Sequence, residues 1–207
     1  MLLAPVGLFA ILLSPLVGKN ISKVDPRSLA TFAFVVFSLV LLMRSHFSTQ
    51  ADYGTMMLPT VVQGVAMAFF FIPLSVIVLS GITPDKIPAA SGLSSFVRIV
   101  AGSFGTSIAT TVWQDRAAMH HAQLTEFVSQ GNFAATQVLA GLGSAGLSPE
   151  QALAQVNRLV DQQAYTLAVN DVFYVSALIF LLLIPVVWLS RPRRAGAGSA
   201  DAAAGAH

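Results

Sequence analysis

The chain has 207 residues, of which 55% are hydrophobic and 10% charged, with a formal net charge of +2 and no cysteine. Soluble globular domains carry roughly a quarter charged residues, so this composition excludes an ordinary water-soluble fold, and the lack of cysteine excludes disulfide frameworks, thiolate metal sites and cysteine nucleophiles. The basic residues fall between apolar runs rather than in a patch interleaved with aromatics, which argues against nucleic-acid binding.

The apolar residues gather into five runs of about the length that crosses roughly 30 Å of hydrocarbon at about 1.5 Å per helical residue. The expected spans are Leu2 to Val17, about Ser28 to Leu42, about Met56 to Leu79, about Ala89 to Trp113 and about Leu167 to Leu189. The fold class read from this pattern is an all-α integral membrane protein with about five transmembrane helices. The first run is short and holds Pro5 and Pro15, but it lacks the basic start and small-residue cleavage site of a signal peptide.

Lysine and arginine placement sets the expected orientation. With the C-terminus cytoplasmic, Lys19, Lys23, Arg27, Lys86, Arg191, Arg193 and Arg194 fall inside and Arg44, Arg116 and Arg158 outside. Residues 1–190 then form the transmembrane bundle with a periplasmic segment at about 115–165, and residues 191–207 form a small, polar, disordered cytoplasmic tail. Within the outer segment, residues 131–146 read as a loop. Ser148, Pro149 and Gln151 read as the N-cap, first position and capping-box partner of an amphipathic helix lying on the membrane surface or against the bundle.

The fourth span carries a charge, Arg98, near its middle. At 100° per residue, Ser91, Ser94, Ser95, Arg98, Gly102, Gly105 and Ala109 share one face, while Leu93, Phe96, Val100, Phe104 and Ile108 share the opposite one. A charge at a span centre costs about 2.5–3.5 kcal/mol even on the lenient insertion scale, so Arg98 is expected to face the bundle interior or a wet cavity. It either lines and braces a transport pathway or bonds carbonyls at a kink and snorkels. Gly102 and Gly105 are expected to let another helix approach closely.

The third span carries Gln63, which can bond a neighbouring helix or a substrate, then the run Phe69, Phe70 and Phe71, then Pro73 as a kink. No Asp or Glu lies deep in any span. Asp171 stands in the first turns of the fifth, where a capping or interfacial role is expected. No metalloprotease, nucleophile-elbow or P-loop pattern occurs, and His120 and His121, about 100° apart on a helix, make a poor metal pair. Neither an enzyme, a metal nor a cofactor is expected.

The stretches LLAPVGLFAILLSPLVGKNISKVDPRSLATFAF, MLPTVVQGVAMAFFFIPLSVIVLSGI and PAASGLSSFVRIVAGSFGTSIATTVWQDRAAMHHAQLTE resemble the C-terminal part of the EmrB/QacA-type drug–proton antiporters of the major facilitator superfamily. The resemblance covers Leu2 to Leu189, and GKNISKVDPRS is similar to a degenerate copy of the superfamily's Gly-x-x-x-Asp-Arg loop motif, with Gly18, Asp25 and Arg27 as its remaining elements. It implies a C-terminal fragment of a multidrug efflux transporter in the bacterial inner membrane, exchanging hydrophobic drug-like substrates for protons. It also implies a periplasmic adaptor with an outer-membrane channel as partners, and proton-coupling acids in an N-terminal half outside this chain. A fragment of that kind is expected to be inactive alone. The competing reading is a self-contained small structural or assembly membrane protein.

Overall fold

The computed structural model describes residues 4–21, 23–50, 52–129 and 133–189. The expected tail, with Arg191, Arg193 and Arg194, lies outside the described residues, as do the starts of the first span and of the expected 131–146 loop. The described elements are α1 Ala4–Asn20, α2 Pro26–Arg44, α3 Tyr53–Leu79, a short 3₁₀ turn Pro84–Lys86, α4 Ile87–Ser129, α5 Phe133–Ser144 and α6 Pro149–Leu189.

Four helices, α2, α3, α4 with its preceding turn and α6, are long and apolar enough to cross a membrane. In α1, 17 residues are described, with Pro15 inside. The helix α3 runs without a break through Pro59 and Pro73, both buried. It ends at Leu79, where Gly81 takes φ +85°, a conformation that glycine adopts without a Cβ penalty.

Two expectations about length are corrected. The fourth span does not stop at Trp113: α4 has 43 residues, about 64 Å at helical rise. Nor do the amphipathic helix and the fifth span form separate elements, since α6 is one helix of 41 residues. Between Gly105 and Gly131 and between Pro149 and Pro185 there is no glycine or proline, so a drop in hydropathy ends the apolar stretch without ending the helix. The expected loop at 131–146 is also corrected, because Phe133–Ser144 is helical.

The chain divides into two compact units, one of Met1–Arg44, Ala51–Gly105 and Phe173–His207, the other of Ser45–Gln50 and Thr106–Val172. In the first, α1 and α2 both pack on α3. Ile21 and Val76 form one apolar cluster with Leu29 and Ile72. Ala30, Phe34 and Val187 form another with Phe70, Leu74, Ile77, Phe180 and Ile184, which joins α2, α3 and the last turns of α6. The Trp188 indole N–H donates to Thr31 Oγ1 at 3.1 Å, closing the α2–α6 seam at its end.

In the second unit the start of α6 is built as the sequence predicts. The Ser148 N–H donates to Gln151 Oε1 at 3.0 Å and the Gln151 N–H donates to Ser148 Oγ at 3.3 Å, a reciprocal capping box. Just before it, Gly146 at φ +92° ends α5 in a Schellman motif: its N–H meets Gly143 O at 3.0 Å, and the Leu147 N–H meets Leu142 O at 3.2 Å.

Candidate functional site

The first unit holds its polar and aromatic side chains along the α2–α3 seam. Arg44 Nη2 donates to Gln63 Oε1 at 2.7 Å and to Thr60 Oγ1 at 3.4 Å, while the Thr60 hydroxyl donates to Met56 O at 2.7 Å. Seven residues down α2 from Arg44 and seven up α3 from Gln63, Phe37 meets Phe70 edge-on with ring centroids 5.3 Å apart. The equal steps mark an antiparallel helix pair. Gln63 is therefore tied to a neighbouring helix, one of the two roles open to it from sequence, and its partner is an arginine that the sequence places in an outer connection.

Each ring of the Phe69, Phe70 and Phe71 run has its own partner, because successive helical residues point about 100° apart. Phe69 meets Phe32 at 5.1 Å. Phe70 meets Phe34, Phe37 and Phe180 at 5.9, 5.3 and 6.5 Å. Phe37 in turn stacks on Phe180 at 5.1 Å with only 16° between ring planes. Phe71 lies edge-on to Phe70 at 5.2 Å and presents its face to Arg98, whose guanidinium carbon is 6.0 Å from the ring centroid. That distance is at the outer limit of a cation–π contact. Phe34, Phe37, Phe70, Phe71 and Phe180 thus form one connected aromatic group with a cation at its margin, and Phe32 and Phe69 form a separate pair.

Arg98 itself is exposed, as are Gly102 and Gly105, while Ser94 and Ser95 are half-buried. The serine and glycine face is not covered within this unit: a Cβ added at Gly102 or Gly105 would meet nothing within 4 Å. The opposite face, with Leu93, Phe96 and Phe104, is equally exposed, so α4 offers two bare faces of different chemistry. Three of its hydroxyls donate to carbonyls of the preceding turn, Ser103 to Ile99 O, Thr110 to Thr106 O and Thr111 to Ser107 O, as low-dielectric surroundings favour.

The loop-motif remnants do not converge on one point. Asp25 caps α2: its Oδ1 accepts from the Arg27 N–H at 3.0 Å, and its carbonyl accepts from the Ser28 and Leu29 N–H groups. Arg27 is half-buried, and Gly18 stands at the end of α1 with nothing within 4 Å of where a Cβ would sit.

In the second unit, α4 and α6 are joined by charges. His120 Nε2 bonds Asp171 Oδ2 at 2.8 Å, Arg116 Nη1 lies 3.8 Å from the same oxygen, and His121 Nε2 lies 3.2 Å from Asp161 Oδ1. The two histidines therefore serve different carboxylates, and among the described residues no group of His, Cys, Asp or Glu could hold a metal ion. The expected capping role for Asp171 is corrected: with α6 beginning at Pro149 it lies far inside the helix and is bound by its neighbours across the seam. Asn170 and Gln163 also fasten the 45–50 loop to α6, through Phe47 O at 2.8 Å and Thr49 Oγ1 at 3.0 Å. The Trp113 indole donates to Tyr165 O at 3.3 Å.

Known proteins resemble this chain over nearly its whole length. It is 41% identical over 190 residues to the multidrug export protein EmrB of Escherichia coli strain K12 and 38% identical over 190 residues to the EmrB of Haemophilus influenzae. It is 36% identical over 189 residues to the fatty acid resistance protein FarB of Neisseria gonorrhoeae. Over most of its length the chain is thus similar to EmrB-type export proteins. Each of these alignments takes in 91% of the chain but 37% of the relative, so the chain spans little more than a third of the curated relatives' length and corresponds to their C-terminal part. No family model and no solved structure matches it. That similarity agrees with the all-α membrane fold.

Proposed function

We propose that this chain is the C-terminal membrane portion of a proton-driven exporter of hydrophobic drug-like molecules in a bacterial inner membrane. The observation that carries this reading is the alignment of 91% of the chain with proteins named for multidrug export. In this reading the aromatic group around Phe37, Phe70, Phe71 and Phe180 forms one wall of the drug path and Arg98 braces it, while the Ser94, Ser95, Gly102 and Gly105 face of α4 packs on helices outside this chain. Proton-coupling acids belong to that other part. Superfamily transport needs two bundles rocking about a midplane site, so the chain alone has no transport activity. The cytoplasmic C-terminus follows from the lysine and arginine bias, and residues 106–172 face the periplasm, where an adaptor leading to an outer-membrane channel would meet them.

The test uses the full-length parent in a drug-sensitive strain. Drug resistance is expected from the parent and absent with this chain alone. Arg98→Ala is expected to reduce efflux at least about tenfold, the effect of adding about 1.4 kcal/mol to a transport barrier, with unchanged amounts in the membrane fraction. A parent that confers no resistance to any hydrophobic compound refutes the function. Unchanged efflux in the Arg98→Ala protein removes that residue from the path.

A further inference from the structure

We infer that Arg44 and Gln63 form a head-group site for an anionic amphiphile at one boundary of the membrane. The helix α2 has 19 residues and ends at Arg44, so it spans about 28 Å, close to the thickness of the hydrocarbon core. At the end of a helix of that length the guanidinium lies at the depth of lipid head groups. An arginine at this depth ordinarily extends into water. Here it turns back onto α3 and is half-buried.

Its two bonding partners are both neutral. Gln63 Oε1 and Thr60 Oγ1 accept from the same nitrogen, Nη2, and no carboxylate among the described residues pairs with Arg44. The remaining guanidinium donors, Nε and Nη1, bond no other described group and are not sealed from outside. Arginine can only donate, so its contact fixes the amide of Gln63 with the oxygen inward. The Nε2 hydrogens of Gln63, which also lack a protein acceptor among the described residues, are then what that side chain presents. Arg44 and Gln63 together offer donors only, with an uncompensated positive charge between them. Oxyanions match that arrangement, because a guanidinium fork takes two oxygens of a carboxylate or phosphate at once.

The surroundings select an anion attached to an apolar tail. Toward the membrane centre α2 exposes Leu39, and the Phe37 and Phe70 rings lie two turns below the pair. A free inorganic ion would gain nothing from that surface. Two sources share the required chemistry, the phosphate of an anionic phospholipid and the carboxylate of a long-chain acid. The inference does not depend on the export reading.

Native mass spectrometry of the chain purified in a neutral detergent tests the site. The probes are dioleoylphosphatidylglycerol against dioleoylglycerol, and dodecanoate against dodecanol. Retention of at least one anion is expected to exceed that of its uncharged counterpart by at least about tenfold, as two charge-assisted hydrogen bonds would give, and whichever anion is retained names the source. Arg44→Gln is expected to abolish the preference. Gln63→Glu supplies an internal counter-charge while preserving side-chain length, so it is expected to remove the preference in a folded protein even if Arg44→Gln fails to fold. Equal retention of charged and uncharged probes by the unaltered chain overturns the inference, and so does an undiminished preference in the Gln63→Glu protein.

Discussion

Asp171 is a carboxylate inside a long, largely apolar helix, and it is tolerated because His120 and Arg116 both face its Oδ2. Such a charge becomes costly when its partners are removed, and less so here because the group is partly exposed. Asp171→Asn is therefore expected to lower stability by about 1 kcal/mol, and the same loss is expected from His120→Ala. Thermal unfolding of the two single variants and the double variant in detergent checks this: the double should cost clearly less than the sum, because the same contact is removed twice. Additive losses would mean that the 2.8 Å contact contributes nothing. Arg98 was legible in the sequence because an arginine in the middle of an apolar run stands out. Arg44 was not, since an arginine at the end of a span is ordinary. The available signal was Gln63, a polar amide in a span that needs a partner, and the antiparallel register of α2 and α3 makes Arg44 that partner.

Element boundaries follow backbone chemistry more closely than hydropathy. The start of α6 was readable to the residue because its signals are local: Ser148 and Gln151 exchange hydrogen bonds three residues apart. Its length was not readable from the apolar run, because Glu150 to Ile184 contains no glycine or proline to interrupt the helix where it becomes apolar. In α5 the error ran the other way. Residues 131–146 read as a loop, yet Gly141 and Gly143 occupy the last turn of a helix before the Schellman motif at Gly146, where a glycine costs little. Ser148→Ala is expected to cost about 1 kcal/mol by leaving first-turn N–H groups without a side-chain acceptor. Gly146→Ala is expected to cost about 1–2 kcal/mol by placing a Cβ at φ +92°. Hydrogen exchange is the suitable measurement. Ser148→Ala should speed exchange within the first turn of α6 and Gly146→Ala at the end of α5, with the amides of α2 and α3 unchanged.

For the whole molecule, the long helices and the named relatives agree on a membrane protein, while its direction in the membrane rests on charge alone. Lys19, Lys23, Arg27 and Lys86 lie in the connections on one side by span order, and Arg44, Arg116 and Arg158 lie at or beyond span ends on the other. The structure leaves this order intact, since α5 at 12 residues is too short to cross and changes no count of spans. Because the chain has no cysteine, single cysteines can report sidedness without background. Thr83, between α3 and α4, should be cytoplasmic, and Ser48, between α2 and α3, should be periplasmic. In intact cells an impermeant maleimide is expected to label Ser48→Cys and not Thr83→Cys, and opening the cells should restore labelling at Thr83→Cys. The reverse pattern would invert the orientation and place residues 106–172 in the cytoplasm, out of reach of a periplasmic adaptor. Labelling of both in intact cells would mean that α3 does not cross the membrane at all, against its 27-residue apolar length.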